Sequence, residues 1–313
     1  MYRTATLPLQ FGINVDPAFK ALDLAFDLAQ LADERRLDFI GIQDHPYNGR
    51  FLDTWTLVSY LAARTRHVRF ITNVANLPLR PPAILAKSFT TLDHLTEGRF
   101  EPGIGAGAFQ EGITSYGGPK RTPGEAVEAL EEAIHIFQLL WYSEPQKRVS
   151  FEGRFYSLRD AEPGPFPTRP LPIWVGGIKP RMLRLIGRLA DGLMISHNWV
   201  EPKSVPQIQE TLDESAQQAG RDINSIRRLY NLLGVIVGPK ERIHAKQPGF
   251  IVGTEQEWAE WITHFYTELA LDSFIFWPIA GNYREQCRCF INEVIPRVKE
   301  YICVVPQEAL QRD

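Results

Sequence analysis

Two adjacent residues that can handle a proton, Asp44 and His45, follow an apolar run at residues 38–43. Histidine titrates near neutral pH, so its imidazole can position or transfer a proton. A carboxylate beside the ring could fix its tautomer. In the alternative interpretation, Asp44 caps a helix and His45 is a structural residue of the turn before Pro46. The residue types leave both interpretations open.

A glycine-rich segment, Gly-Ile-Gly-Ala-Gly at residues 103–107, ends another apolar run. Gly105 and Gly107 carry no side chains, so backbone at these positions could come close to a planar ring or a sugar. Short glycine runs are also common in ordinary turns. By itself this segment is therefore a weak indication of a binding site.

A second glycine pair, Gly176 and Gly177, is followed by Ile178, Lys179 and a predicted helix. A strand that leads through glycines into a helix N-terminus offers free N–H groups and a favourable dipole to a phosphate. Lys179 and Arg181 add positive charge. We expect Gly177→Val to weaken binding of a phosphate-bearing cofactor without unfolding the protein. The alternative is a glycine-kinked loop with two solvated cations.

The segment from Phe70 to Gly107 predicts the unit that positions one of these glycine segments. A strand begins at Phe70 and stops at Pro78, and Pro81 and Pro82 fit the first turn of a helix. One face of that helix is apolar and Gly98 can end it, after which a strand leads into residues 103–107. The apolar face consists of Leu85, Phe89, Leu92 and Leu95. The pattern predicts a βαβ unit.

The helix after residue 121 has the clearest start in the chain. Thr122 fits the N-cap, Pro123 the first helical position, and Glu125 the third, which together make a capping box. Its apolar residues recur every three or four positions. We interpret that face as core.

Strands and helices alternate along the chain, and we count eight of each. Such alternation predicts parallel strands with right-handed crossovers. Eight units favour a closed (β/α)8 barrel, the TIM barrel, over an open doubly wound sheet. We expect a single domain over residues 1–313, with insertion segments near 143–171 and 238–253. The first contains five prolines and predicts an irregular surface excursion.

In such a barrel the active site lies at the carboxyl ends of the strands. These ends select a set of candidate residues that includes both glycine segments and the Asp-His pair. The set is Asn14, Asp44, His45, Asn73 to Asn76, Gly105 to Phe109, Gly176 to Lys179, Ser196 to Trp199, Asn231 to Leu233, Trp277 and Asn282. Trp174, Trp199, Trp277 and Tyr283 could shape a pocket, although core packing explains any one of them.

Composition excludes several classes of protein. The 313 residues are 44% hydrophobic and carry a formal net charge of −3, which offers no basic field for nucleic acid or for an anionic membrane. No apolar run predicts a membrane span, and the N-terminal residues lack the apolar middle of a signal peptide. Three cysteines, Cys287, Cys289 and Cys303, indicate reduced thiols and a cytoplasmic protein. Cys287 and Cys289 point apart on a helix, so we predict no metal site.

The residues from Leu77 to Phe100, followed by Gly-Ile-Gly-Ala-Gly, resemble the signature of the luciferase-like flavin-dependent oxidoreductases. That signature is a proline-led helix, then Thr-Leu-Asp with Gly-Arg downstream, then a glycine-rich turn. Four further segments match in order. They are FEGRFYSL at 151–158, PIWVGG at 172–177, LADGLMIS at 189–196 and IVGTEQEW at 251–258.

The resemblance implies a cofactor, either 8-hydroxy-5-deazaflavin (coenzyme F420) or FMN. It implies hydride transfer to or from a small organic substrate, or monooxygenation of it. Deazaflavin members place Asp-His where this chain has Asp44 and His45, which favours coenzyme F420. The family also places a non-proline cis peptide bond behind the flavin ring, which maps to Asn73 and Val74. Its cofactor phosphate maps to Gly176 through Lys179.

The resemblance further implies a homodimer and, in some members, a separate reductase that supplies reduced cofactor. One departure is Ala108, since sugar-phosphate dehydrogenases of the family carry an acidic glutamate directly after this glycine turn. That dehydrogenation is disfavoured here. The alternatives are an FMN-dependent two-component monooxygenase, a non-catalytic flavin-binding barrel and, from another class, a phosphate-binding barrel isomerase or aldolase. The last needs a Lys or Glu at a strand end.

Overall fold

The computed structural model describes residues 4–238 and 249–309, in which β-strands alternate with α-helices. The strands are β1 (Gln10–Asn14), β2 (Phe39–Ile42), β3 (Arg69–Thr72), β4 (Ala75–Asn76), β5 (Phe100–Glu101), β6 (Gly103–Gly105), β7 (Val149–Glu152), β8 (Ser157–Ala161), β9 (Trp174–Gly176), β10 (Gly192–Ser196), β11 (Arg227–Ile236), β12 (Ile251–Gly253) and β13 (Ser273–Pro278). The helices are α1 (Leu22–Glu34), α2 (Thr54–Ala62), α3 (Pro82–Leu95), α4 (Gln110–Ser115), α5 (Pro123–Tyr142), α6 (Pro180–Leu189), α7 (Val205–Gln218), α8 (Glu255–Glu268), α9 (Tyr283–Cys289) and α10 (Ile295–Ala309). A π-helical turn, Phe290–Val294, joins α9 to α10.

One parallel sheet organises the fold. β1 lies between β13 and β2, and the sheet continues on one side through β3 to β5 and on the other through β11 and β10 to β9. β9 pairs with β6, and β6 with β4. Helices follow the strands, as parallel strands require a crossover. The protein is thus an α/β fold with a curled parallel sheet.

The two faces of the sheet bury different residues because side chains alternate along a strand. The outer face packs against the helices in the large core, where Phe89 of α3 contacts Phe137 and Trp141 of α5 through their rings. The concave inner face is filled at its base by a smaller apolar cluster. That cluster consists of Phe39, Ile71, Trp174, Met194, Leu229 and Ile275, with Val74 packed against it.

Two predicted strands are each interrupted once. The third stops at Thr72 and resumes at Ala75, and the fourth is divided at Pro102. Proline cannot donate a ladder hydrogen bond, which accounts for the second interruption. The predicted apolar face of α3 is confirmed except at Leu95, which is 71% exposed. The predicted capping box at Thr122 and Glu125 is present.

The segment 143–171 is more regular than its prolines suggested. β7 and β8 form an antiparallel hairpin whose turn is held by one carboxylate. The oxygens of Glu132 on α5 accept the backbone N–H groups of Arg154, Phe155 and Tyr156. Pro145 precedes β7, and the other four prolines of the segment lie between β8 and β9. Of the second predicted insertion, β12 pairs with β11, whereas residues 239–248 lie outside the described residues.

None of the helices in the described ranges has both the length and the apolar composition needed to cross a membrane.

Candidate active site

The carboxyl ends of the parallel strands bring polar side chains together above the apolar base of the concave face. Asn14 pairs in register with Gly41, Asn231 with Ser196, and Asn76 with Gly105. Gly12 pairs with Phe39 of the inner cluster, so Asn14, two residues along β1, faces the same interior. Candidate residues that are far apart in sequence therefore lie around one opening at the carboxyl ends of the strands, which we call the mouth of the sheet.

Asn73 and Asn231 join opposite parts of this mouth. Nδ2 of Asn73 donates to Oδ1 of Asn231 at 2.6 Å, and Nδ2 of Asn231 donates to Oδ1 of Asn73 at 3.2 Å. Asn231 also reaches the carbonyl of Ile195 and the hydroxyl of Ser196, both at 3.2 Å. The amide pair fixes the end of β3 against β10 and β11.

Val74 occupies the space that two of the candidate glycines leave. The bond between Asn73 and Val74 is cis, as the resemblance predicted. A Cβ at Gly105 would lie 2.6 Å from Cγ2 of Val74, and one at Gly176 would lie 3.2 Å from its Cγ1. The side chains missing at Gly105 and Gly176 make room for Val74, and direct contact of these glycines with a ligand stays a prediction. Val74 then presents an apolar wall at the mouth.

The other two candidate glycines are also required by packing. Gly107 has a φ of +84°, and a Cβ there would lie 2.5 Å from Cγ of Pro78. A Cβ at Gly177 would lie 2.2 Å from Cγ of Met182, which is buried in the first turn of α6. We therefore expect Gly177→Val to destabilise the fold, which the sequence analysis did not anticipate.

The N-terminus of α6 keeps the properties that a phosphate site needs. Lys179 is the N-cap residue, and no side chain caps the helix, so N–H groups of its first turn have no intrahelical acceptor. Lys179 is exposed, and Ile178 beside it is half-buried. Arg181 is less available than predicted, because its Nη2 donates to Oε1 of Glu128 at 2.6 Å.

Asp44 is buried, at 1% exposure, and its carboxylate is fully engaged. Nε of Arg80 donates to Oδ2 and Nη2 to Oδ1, both at 2.8 Å, and the backbone N–H of Asn76 adds a bond at 2.9 Å. Arg80 also binds Oδ2 of Asp53 at 2.7 Å. The sequence analysis suggested that Asp44 could fix the tautomer of His45. In the structure its carboxylate instead binds the side chain of Arg80 and the backbone of Asn76 in β4.

His45 is paired with a residue that the sequence analysis did not select. Its Nδ1 lies 2.8 Å from the hydroxyl of Tyr47. Burial lowers the pKa of the imidazole, and the negative charge of Asp44 opposes that shift. Burial, with the same carboxylate, raises the pKa of Tyr47. At neutral pH the pair is therefore a neutral imidazole beside a protonated phenol.

A second titratable group at the mouth, Asp16, was also missed. Nε2 of Gln43 and Nδ2 of Asn14 donate to its Oδ1, at 2.7 and 2.9 Å. Burial raises the pKa of Asp16, and the two amide hydrogen bonds oppose the shift. The sequence signal was an acidic residue two positions after Asn14 at a strand end.

The predicted aromatic residues have different roles. Trp174 is core, and its Nε1 donates to the buried Glu101 at 2.7 Å. Trp199 is 76% exposed. In His197, two positions before Trp199, Nδ1 lies 3.1 Å from the carbonyl oxygen of Gly249, and burial lowers the pKa of the imidazole.

Within residues 4–238 and 249–309, no group of three or more His, Cys, Asp or Glu side chains is placed to hold a metal ion.

These features fit a planar cofactor that carries a phosphate. The wall at Val74 is apolar, and the uncapped start of α6 with Lys179 follows directly from β9 at the same edge. Oδ1 of Asn14 and Oδ1 of Asn76 are buried acceptors with no partner in the described part of the chain. Buried acceptors of this kind indicate a missing donor from a ligand or water.

The curled parallel sheet with polar residues at its strand ends defines an α/β protein with a candidate cofactor site, and sequence comparison identifies the family. The model of the family described as luciferase-like monooxygenase matches residues 6–247, so the chain belongs to that family. It is 32% identical over 234 residues to the F420-dependent glucose-6-phosphate dehydrogenase of Kineococcus radiotolerans, covering 71% of this chain and 67% of that protein. It is 29% identical over 216 residues to the 5,10-methylenetetrahydromethanopterin reductase of Archaeoglobus fulgidus, covering 68% and 60%.

Solved structures share the fold at lower identity. An F420-dependent secondary alcohol dehydrogenase, in complex with an F420–acetone adduct, superposes with a TM-score of 0.81 at 20% identity, covering 93% of this chain and 99% of that one. The EDTA monooxygenase of a Chelativorans species superposes with a TM-score of 0.78 at 14% identity, covering 94% of each chain.

Proposed function

We propose that this protein is an oxidoreductase that uses coenzyme F420, in preference to FMN, for hydride transfer to or from a small organic substrate. Three features at the carboxyl ends of the strands carry the proposal. They are the pairing of His45 with Tyr47, the packing of Val74 against Gly105 and Gly176, and the uncapped N-terminus of α6. Relatives named as F420-dependent enzymes support the cofactor. FMN is the alternative cofactor, since a structural neighbour, a riboflavin lyase, was solved with a modified FMN.

The cofactor contacts follow from the residues at the mouth. Val74, supported by Gly105 and Gly176, would back the ring, and the α6 N-terminus with Ile178 and Lys179 would bind the phosphate. When bound, a deazaflavin supplies a hydride-accepting carbon in place of the flavin N5. Gly107 and Gly177 act indirectly, because they allow Pro78 and Met182 to pack beneath these contacts.

His45 is the proposed catalytic residue. Its imidazole is neutral at pH 7, since burial lowers its pKa, and a neutral imidazole can accept a proton from a substrate or from Tyr47. Asp44 contributes by position: with Arg80 it fixes the backbone that precedes His45. The role first expected of Asp44 thus becomes structural support for a catalytic neighbour.

We also propose that the curled sheet is a complete (β/α)8 barrel and that residues 1–313 form one domain. Only Pro102 separates β5 from β6, and two residues separate β3 from β4. If each pair counts as one strand, pairing runs from β1 through β2, β3, β5 and β6 to β9, and through β10, β11 and β13 back to β1. This closed path supports the barrel.

A homodimer, a cytoplasmic location and supply of reduced cofactor by a separate reductase are further parts of the proposal. The homodimer rests on the family resemblance. Sedimentation of the purified protein tests it.

The cofactor is tested by titrating coenzyme F420 and FMN separately into apo-protein. We expect tighter binding of F420, and about tenfold weaker binding in Lys179→Ala, because one charge-assisted contact to phosphate is lost. The matched control is Lys203→Ala, since Lys203 is exposed and already paired with Glu201 at 2.6 Å. Tight FMN binding without F420 binding would overturn the cofactor assignment. Full turnover in His45→Ala would remove His45 from the mechanism.

A further inference from the structure

Four rings lie in contact with one another beside the mouth of the sheet. They belong to Phe51, His45, Tyr47 and Phe109, and the centroids of consecutive rings in this order are 6.3, 5.5 and 5.3 Å apart. The first three residues follow β2, whereas Phe109 follows β6. Rings at these spacings are in contact. We call the four side chains the ring row.

The backbone of α4 supports one end of the ring row. Gly112 is buried, and a Cβ at that position would lie 2.5 Å from Cδ1 of Phe109 and 2.7 Å from Cγ of Tyr47. Both rings therefore pack directly against the helix, in space that a larger residue at position 112 would fill. The two rings meet edge to face, at an interplanar angle of 66°. Phe109 is thus fixed by packing although it is 52% exposed.

The loop after β2 holds the rest of the ring row. Phe51 is half-buried and pairs with Ala18 in an isolated antiparallel bridge. His45 and Tyr47, in the middle of the row, are half-buried, and Nδ1 of His45 lies 2.8 Å from the phenol hydroxyl. The ring row is therefore an ordered surface that stays partly open to solvent and includes the proposed catalytic residue.

The ring row offers apolar area and few polar groups. Its hydrogen-bonding groups are the Tyr47 hydroxyl and the His45 imidazole, which already bind each other. A sugar can stack on an aromatic ring, but its hydroxyl groups then need polar partners, and Phe51 and Phe109 supply none. An apolar ring has no such groups to satisfy, and it would gain burial and an edge-to-face contact.

We propose that the ring row is the surface on which the substrate binds, and that it takes an uncharged apolar ring, aromatic in preference to aliphatic. This inference rests on the proposed function and names its substrate class, a molecule whose reacting carbon belongs to such a ring or is attached to it. A ring that lies against Tyr47 and Phe109 has its substituent near His45, because the three side chains are consecutive in the row.

The inference requires that substrate and cofactor bind together. The proposed cofactor contacts are Val74 and the N-terminus of α6, which follow β3 and β9, and they share no residue with the ring row. An organic cation is a competing ligand, because ring faces attract positive charge. Aromatic sites for such cations surround the charge with several ring faces, whereas Tyr47 presents its ring to Phe109 edge to face.

The test measures binding of benzamide, cyclohexanecarboxamide and isobutyramide, which share an amide and differ in the apolar group. Ligand-observed NMR titrations are made with and without saturating F420. We expect the wild-type protein to bind benzamide about tenfold more tightly than isobutyramide and about threefold more tightly than cyclohexanecarboxamide. Methyl glucoside and tetramethylammonium are the probes for the sugar and cation classes.

Two variants at one position separate apolar bulk from aromatic character. In Phe109→Ala the ratio of benzamide to isobutyramide affinity should fall close to one. Phe109→Leu keeps apolar bulk, so it should lose the preference for benzamide over cyclohexanecarboxamide and retain part of the preference over isobutyramide. Tyr60→Ala removes an exposed aromatic side chain of α2 and should retain both wild-type ratios. Circular dichroism confirms that each variant is folded.

The outcomes separate this inference from the proposed function. An unchanged benzamide preference in folded Phe109→Ala overturns the inference, as does the absence of that preference in the wild-type protein. Tighter binding of methyl glucoside or tetramethylammonium than of benzamide overturns it too. Displacement of benzamide by F420 would make the ring row a cofactor contact and overturn its assignment to substrate. A preference that depends on Phe109 in a protein that binds neither F420 nor FMN supports the ring row and overturns the proposed cofactor chemistry.

Discussion

Asn73 and Asn231 exchange hydrogen bonds across the mouth of the sheet, although they lie 158 positions apart in the sequence. Each amide is both donor and acceptor, so the pair satisfies polar groups of two strands at once. The pair also fixes Asn73 directly before Val74, which forms the apolar wall of the proposed cofactor site. The amide pair of Asn73 and Asn231 therefore helps to fix the position of Val74, the next residue along the chain.

Replacing Asn231 with Ala should lower the free energy of unfolding by about 1–3 kcal/mol, because the side chain of Asn73 then loses its partner. Asn73→Ala should cost a similar amount, and the double variant less than the sum of the two. Denaturant titration of the four proteins measures the coupling energy. Strict additivity would contradict the paired arrangement.

Arg80→Met should destabilise the fold by about 3–5 kcal/mol, since it leaves the buried carboxylate of Asp44 unpaired. The matched control is Arg188→Met, which breaks an exposed pair with Glu131 and should cost at most about 1 kcal/mol. Urea unfolding of both variants at pH 7 gives the comparison. Equal losses would show that burial of Asp44 does not matter.

Gly177→Val should destabilise the protein by about 1–3 kcal/mol, because the added Cβ meets Cγ of Met182. Adding Met182→Ala should recover part of the loss by removing that contact. Gly49→Val is a suitable control, as a Cβ at Gly49 has no atom within 4 Å. A fully stable Gly177→Val protein would contradict the packing explanation of this glycine.

Stability should depend on pH through His45. Burial lowers its pKa in the folded state below the ordinary value of about 6.5, so the unfolded chain binds the proton more readily. The contribution of the neutral imidazole is full above pH 6.5 and decreases as the pH falls below it. His45→Gln should therefore lose less stability than the wild-type protein between pH 7.5 and about 5.

His264→Gln, at an exposed histidine of α8, is the control for the effect of replacing a histidine with glutamine. The free energy of unfolding is measured in urea at each pH. An identical pH dependence in His45→Gln and wild type would contradict a lowered pKa for His45.

Local sequence patterns determined much of the secondary structure of this protein. The proline-led start of α3, the capping box at Thr122 and the alternation of strands with helices depend on residues close in sequence, and the structure confirms each of them. The strand ends also predict where the proposed site lies. The family signature, spread over most of the chain, identified the kind of cofactor that the relatives use.

Only the tertiary structure decided which group each side chain contacts. The carboxylate of Asp44 binds Arg80 and not His45, the space at Gly105 and Gly176 belongs to Val74, and Asp16 is held by an amide from a neighbouring strand. Each contact joins residues that the curled sheet brings together from separate strands or loops. Sequence periodicity fixes the face on which a side chain lies, but the distance between two faces depends on how the whole sheet curls.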